Sequence, residues 1–136
     1  MPVSAIRACL LDRDRHAKII KELRRAGVAI RLIPDGDVAG VFWTTESERS
    51  GVDIYFGSGG APEGVLAAAA IRCAGGQMQG RLLPENEAEA ARARAMGHSD
   101  VSKKLTLDDM VKGDVVFADS TTLNQFKAAG LLREVA

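Results

Sequence analysis

The run from Gly57 to Arg81, GSGGAPEGVLAAAAIRCAGGQMQGR, constrains the fold more than any other part of the chain. Before it stands VDIYF, Val52 to Phe56, whose β-branched and aromatic residues predict a buried strand. A glycine-rich turn follows at once. Pro62 suits the first position of a helix, Gly64 to Cys73 is nearly all apolar, and Gly75-Gly76 supplies a stop. Four consecutive alanines let a helix approach a sheet closely, which places this helix in the interior. The turn ahead of it leaves the N–H groups of Gly59, Gly60 and Ala61 without helical partners and aimed above the strand end, an anion-binding arrangement.

Glu63 adds information to that turn. A carboxylate in a first helical turn is favoured by the helix dipole, and this alone accounts for it. A phosphate bound at the same place would repel Glu63 unless a divalent cation lay between them. Both readings stand on the residues alone.

Strands alternating with helices predict an α/β domain, with about five strands in one mixed sheet flanked by helices. At 136 residues the chain suits one domain with a real core. No apolar run approaches a membrane span and the N-terminus lacks a signal-peptide pattern, so the expectation is a cytoplasmic protein with no membrane partner. Cys9 and Cys73 have no metal-type spacing and are expected as buried thiols. Net charge is zero but unevenly spread. Residues 1 to 34 hold eight Lys/Arg against three Asp/Glu, and residues 35 to 63 hold one Arg against six acids. With no basic excess and only four Phe, one Tyr and one Trp for stacking, nucleic acid is not an expected partner.

Ala5 to Leu11 reads as the first strand, with Asp12 as cap of a helix from about Arg13 to Ala26 that buries Ile19, Ile20 and Leu23 and stops at Gly27. Arg13 and Arg15 oppose the dipole of that helix, which an anion above them would explain and which exposed arginines also tolerate. Val28 to Ile33 is the second strand. It runs into Pro34-Asp35-Gly36-Asp37, a turn at a strand's C-terminal end, where open α/β sheets place ligands. Two acids around a glycine suit sugar hydroxyls or a cation, and equally a turn and a helix cap. A short helix from Asp37 to about Trp43, with Phe42 and Trp43 in the core, precedes a polar surface loop from Thr44 to Gly51. Further on, Gly76 to Leu83 reads as a strand, Glu85 to Met96 as a solvated helix, His98 as a surface residue, and Thr106 as cap of a short helix. Gly113 to Ala118 reads as a strand, and Leu123 to Ala129 as a helix.

The segments LDRDRH (Leu11 to His16), IRLIPDGDVAG (Ile30 to Gly40), the Gly57 to Arg81 run and LTLDDMVKGD (Leu105 to Asp114), in this order and spacing, resemble the class II fructose-1,6-bisphosphatase family, in particular its C-terminal half. GGAPEGVLAAAA is the most specific of them. The resemblance implies the lithium-sensitive sugar-phosphatase fold and hydrolysis of the 1-phosphate of fructose 1,6-bisphosphate, with sedoheptulose 1,7-bisphosphate a further substrate of some members, using Mg²⁺ or Mn²⁺. By similarity, Glu63 matches a metal ligand and Gly60 lies beside substrate. Arg13, Asp14 and Arg15 match the substrate-phosphate segment, with Asp14 where the family usually has proline. Asp35, Gly36 and Asp37 match a sugar-binding turn. The family's other metal carboxylates and its catalytic threonine belong to an N-terminal half with no counterpart in this sequence.

The expectation is therefore a sugar-phosphate-binding half with little or no phosphatase activity alone, partnered by a homo-oligomer or by a chain carrying the missing half. The alternative is a non-catalytic sugar-phosphate-binding or regulatory module. A nucleotide-binding domain is disfavoured, since the central turn is neither GxxxxGK[ST] nor GxGxxG.

Overall fold

The computed structural model describes residues 1–113. The expected strand at Gly113 to Ala118 and helix at Leu123 to Ala129 lie outside the described residues, apart from Gly113 itself. Strand β1 (Arg7–Leu11) stands between β2 (Ala29–Ile33) and β3 (Ile54–Tyr55), and pairs in parallel with both. Its apolar residues alternate between two faces, as the period of a strand requires. Cys9 and Leu11 join Ile33 and Val52 on one face, where Trp43 and Tyr55 pack; Ala8 and Leu10 join Ile20 on the other, with Ile19, Leu23, Val28, Ile30 and Phe56. A strand buried on both faces is the signature of a parallel sheet covered by helices on each side.

Helix α1 (Ala17–Arg25) covers the second of these faces with the expected Ile19, Ile20 and Leu23 stripe. It begins later than the sequence suggests, because Asp14–His16 forms a 3₁₀ turn first. Asp12 does not cap it. The Asp12 N–H instead bonds the Ile33 carbonyl at 2.8 Å, lengthening the β1–β2 ladder by one rung. Helix α2 (Asp37–Trp43) covers the opposite face, and the short α3 (Ser47–Ser50) replaces the expected loop. The chain thus crosses from one face to the other between β2 and β3.

Helix α2 sits close on the sheet because Gly40 has no side chain. A β-carbon there would lie 2.8 Å from Tyr55 Cε2 and 3.1 Å from Ile33 Cδ1. Helix α4 (Ala61–Ala74) then packs on α2, with Ala67, Ala68, Ala70 and Ile71 buried. Its alanines therefore meet a helix, where the sequence suggested a sheet. Cys73 is exposed, contrary to expectation, while Cys9 is buried.

The single five-stranded sheet is also corrected. Beyond α4, β4 (Gln79–Gly80) pairs antiparallel with β5 (Leu105–Thr106) in a separate two-stranded sheet. Between them lies α5 (Glu87–Ala95), capped by Asn86, whose side chain accepts the Glu89 N–H at 2.9 Å. Helix α6 (Leu107–Met110) carries the expected Thr106 cap, completed by Asp109 as a reciprocal capping box. Arg72 of α4 ties this part down, donating to Asp108 Oδ1 at 2.6 Å and to the Val111 and Gly113 carbonyls. The strand expected from Val52 to Phe56 is shorter and lies at the sheet's edge, leaving Ile54 exposed.

At the N-terminal end of the sheet, Arg7 grips Asp53 through Nε at 3.0 Å and Nη2 at 2.9 Å, and the Arg7 N–H adds a third bond to the same carboxylate. The Arg7 side chain, then its backbone amide, holds the Asp53 carboxyl below the usual range. A depressed folded pKa stabilises the fold fully above the unfolded value of about 3.9 and loses that contribution as pH falls through the folded value. The stability difference between the wild type and Asp53→Asn, followed by urea unfolding, is expected to shrink as pH drops below about 4 and to be steady above it. Gly40→Ala is expected to cost about 1–3 kcal/mol in the same assay at neutral pH, by forcing α2 off Tyr55.

Candidate functional site

The three parallel strands end at one edge, and the segments leaving them carry the candidate residues. Arg13, Asp14 and Arg15 follow β1; Asp35, Gly36 and Asp37 follow β2; the turn Gly57 to Gly60 and Glu63 follow β3. With strand order β2-β1-β3 the connections diverge between β1 and β3, so the ligand crevice of an open α/β sheet falls there.

That crevice is bridged twice at one residue. Arg15 Nε donates to the Ser58 carbonyl at 2.9 Å. The next side chain, His16, is fully buried; its Nδ1 lies 2.9 Å from the Leu11 carbonyl and its Nε2 accepts the Ser58 N–H at 3.0 Å. The Ser58 hydroxyl lies 3.4 Å from Nε2, which invites comparison with a nucleophile and its base. The comparison fails, because the Nε2 lone pair is already directed at the Ser58 amide. No buried side-chain nitrogen or oxygen among the described residues lacks a partner.

Asp37 opens α2 after the left-handed Gly36 (φ 86°), and its Oδ1 accepts the Val38 N–H at 2.8 Å. Its other oxygen faces the glycine turn, 3.9 Å from where a β-carbon on Gly59 would stand. The Glu63 carboxylate folds back over Gly60 and occupies the space that a side chain on Gly60 would need. The Glu63 reading as a first-turn acid is met, since α4 begins at Ala61 with Pro62 beside it. Arg15, Asp37, Gly60 and Glu63 are therefore gathered around one turn. Arg13 turns back to its neighbour, donating to the Asp12 carbonyl at 3.0 Å, and Asp14 and Asp35 are exposed. Among the described residues no hydrogen bond ties these last three to the turn.

A divalent cation needs more than one carboxylate here. Among the described residues no three His, Cys, Asp or Glu side chains come together as a metal site. Glu63 can offer one ligand, and the described residues do not by themselves fit a metal centre.

Sequence reasoning missed His16 and Tyr55. The signal for His16 was its place at the junction of a strand end and an amphipathic helix. Tyr55 was read only as part of a strand, yet its ring lies under Gly40 and against Gly57, with the hydroxyl 3.3 Å from where a β-carbon on Gly57 would be.

The bacterial, glpX-encoded fructose-1,6-bisphosphatase family model matches residues 1–133. The chain is 39% identical over 137 residues to fructose-1,6-bisphosphatase 1 class 2 of Escherichia coli (strain K12), covering 91% of this chain and 40% of that relative. The same figures hold for the class 2 fructose-1,6-bisphosphatase of Shigella flexneri. The chain thus spans about 40% of the length of the curated relatives it matches.

Burial, followed by the nearby Asp37 carboxylate, pushes the Tyr55 phenol up to about 12. Tyr55 is the sole tyrosine, so ultraviolet absorption of phenolate reads this one group. The folded chain is expected to show no phenolate signal near pH 10, where a free tyrosine is half ionised. Asp37→Asn, by removing a negative neighbour, is expected to move the midpoint down. A raised folded pKa stabilises the fold below the unfolded value and ceases to do so as pH rises through the folded one.

Proposed function

This chain belongs to the bacterial, glpX-encoded fructose-1,6-bisphosphatase family, and on that premise we propose that it supplies the sugar-phosphate-binding groups for metal-dependent hydrolysis of the 1-phosphate of fructose 1,6-bisphosphate. The observation that carries this reading is the gathering of Arg15, Asp37 and Glu63 on the Gly57 to Gly60 turn at the β1–β3 crevice. Arg15 meets a phosphate with a planar fork of donors, already braced at Nε by the Ser58 carbonyl. Arg13 stands two residues earlier on the same segment, in extended backbone, and serves the remote phosphate, with Asp14 beside it. The amides of Gly60 and Ala61, ahead of the first α4 ladder bond from Gly64 to Gly60, suit a phosphate oxygen. Asp35, Gly36 and Asp37 suit sugar hydroxyls, for which carboxylates are good acceptors.

Glu63 is proposed as one carboxylate ligand of Mn²⁺ or Mg²⁺. Such a cation, held by Glu63 together with ligands beyond the described residues, would offset phosphate charge and lower the pKa of a bound water. The protein's own task in this proposal is to bind and orient the bisphosphate. Holding the remote phosphate fixes the position of the reacting one, which is how binding energy reaches a distant bond. Sedoheptulose 1,7-bisphosphate has the same 1-phosphate and a second phosphate at the far end of a chain one carbon longer, and is proposed as a second ligand.

A second reading is a non-catalytic sugar-phosphate-binding or regulatory module. It is favoured by the lack of a metal-type cluster among the described residues. The two readings share a set of binding residues and differ in turnover.

Calorimetric titration with fructose 1,6-bisphosphate, with and without Mn²⁺, together with phosphate release on the same sample, tests both. The expected result is binding that Arg15→Ala weakens by about tenfold or more, the loss of one charged hydrogen-bonding group. Release at steady state would support the catalytic reading, and binding without release the second. Absence of binding in every condition would remove both.

A further inference from the structure

The function proposed above uses Arg15 and the glycine turn but gives no part to the buried histidine between them. We propose that His16 is a positioning residue of the sugar-phosphate site, acting as a neutral Nδ1–H imidazole that fixes the turn and Arg15 relative to each other. The inference rests on the sugar-phosphate reading for its ligand, and on geometry alone for the clamp itself.

The two partners of the ring decide its form. The Leu11 carbonyl can only accept, so the Nδ1 facing it at 2.9 Å carries the proton. The Ser58 N–H can only donate, so Nε2 at 3.0 Å presents its lone pair. The other tautomer and the cation each lose the Ser58 bond. A ring with no solvent exposure has no water to replace it.

The bonds also join the right places. Leu11 is the last residue of β1, and Ser58 follows β3, so the imidazole is a rigid spacer across the mouth of the crevice. Arg15 takes the carbonyl of the same Ser58 whose amide His16 holds. Consecutive side chains on one 3₁₀ turn thus grip the backbone carbonyl and amide of a single residue two positions before Gly60. This sets the direction in which the chain enters Gly59 and Gly60 and the placement of the Arg15 guanidinium. Ordering these groups before the ligand arrives removes that cost from binding.

The test uses the full 136-residue chain. Long-range proton–nitrogen NMR reads the His16 tautomer, with the exposed His98, the other of the two histidines, as internal reference. The expected pattern is a protonated Nδ1 and an unprotonated Nε2. Two variants separate the two bonds. His16→Asn keeps a short amide able to donate to Leu11 but cannot reach Ser58; His16→Gln places a carbonyl oxygen within reach of the Ser58 N–H. In the Asn variant, amide exchange at Ser58 is expected to accelerate about tenfold and fructose 1,6-bisphosphate affinity to fall about tenfold, while circular dichroism stays unchanged. The Gln variant is expected to hold both close to wild type.

Finding the Nε2–H tautomer or the cation in the folded chain would overturn the proposal. So would wild-type affinity in an Asn variant whose Ser58 exchange has accelerated, and in that case the proposed function would survive. If the Asn variant does not fold, the Gln variant decides: protection with lost affinity refutes a positioning role, and protection with retained affinity supports it. If the wild type binds no bisphosphate, the proposed function and the ligand role of His16 both fall, and tautomer and exchange still judge the clamp.

Discussion

The parallel pairing of β1 with neighbours on both sides is the constraint from which the rest of the molecule follows. A parallel partner cannot be reached by a tight hairpin, so each connection must travel back along the sheet and needs a helix or its equivalent to do so. Here α1 makes the first return on one face and α2 the second on the other. Both faces of β1 are closed as a result, and Ala8, Cys9, Leu10 and Leu11 are all buried. The same geometry sends every strand's C-terminal end to one edge. The candidate residues share that edge because the strands share a direction.

Two polar fasteners hold the ends of this small sheet. At one end Arg7 and Asp53 join the starts of β1 and the β3 segment, and at the other His16 and Arg15 join β1 to the turn after β3. Such fasteners suit a β3 in which only Ile54 and Tyr55 pair, since a two-residue ladder offers little cohesion of its own. Tyr55 contributes on the inner side, filling the space that Gly40 leaves under α2.

Much of this was legible in the sequence wherever the cause was local. β1 and β2 announced themselves as apolar runs, α2 fell at Asp37–Trp43 as expected, and Pro62 and Gly75 bracketed α4. The Thr106 cap was readable because its partner, Asp109, lies three residues on. What escaped were matters of distant partnership. The stretch Gly76 to Leu83 has strand character, but only Gln79 and Gly80 pair, and their partners Thr106 and Leu105 lay in a segment read as helix. Cys73 looked buried because an alanine-rich helix shows no polar face from which to tell its outside. In the site, Arg15, Asp37 and Glu63 were singled out, yet His16 was passed over: its partners lie 5 and 42 residues away, and no periodicity reports either.

The contact between Arg15 and Ser58 spans 43 residues of chain. Contacts of such separation must await closure of a long loop, which is an entropic cost that local helices such as α1 do not face. The β1–α1–β2 unit has its own strand pairing and most of a buried helix face within residues 7–33, to which Phe56 is added later. The candidate crevice, by contrast, exists only once the turn after β3 has docked. The scaffold is therefore able to form before the edge that gathers Arg15, Asp37 and Glu63, so the candidate site is the last part of the described fold to be assembled.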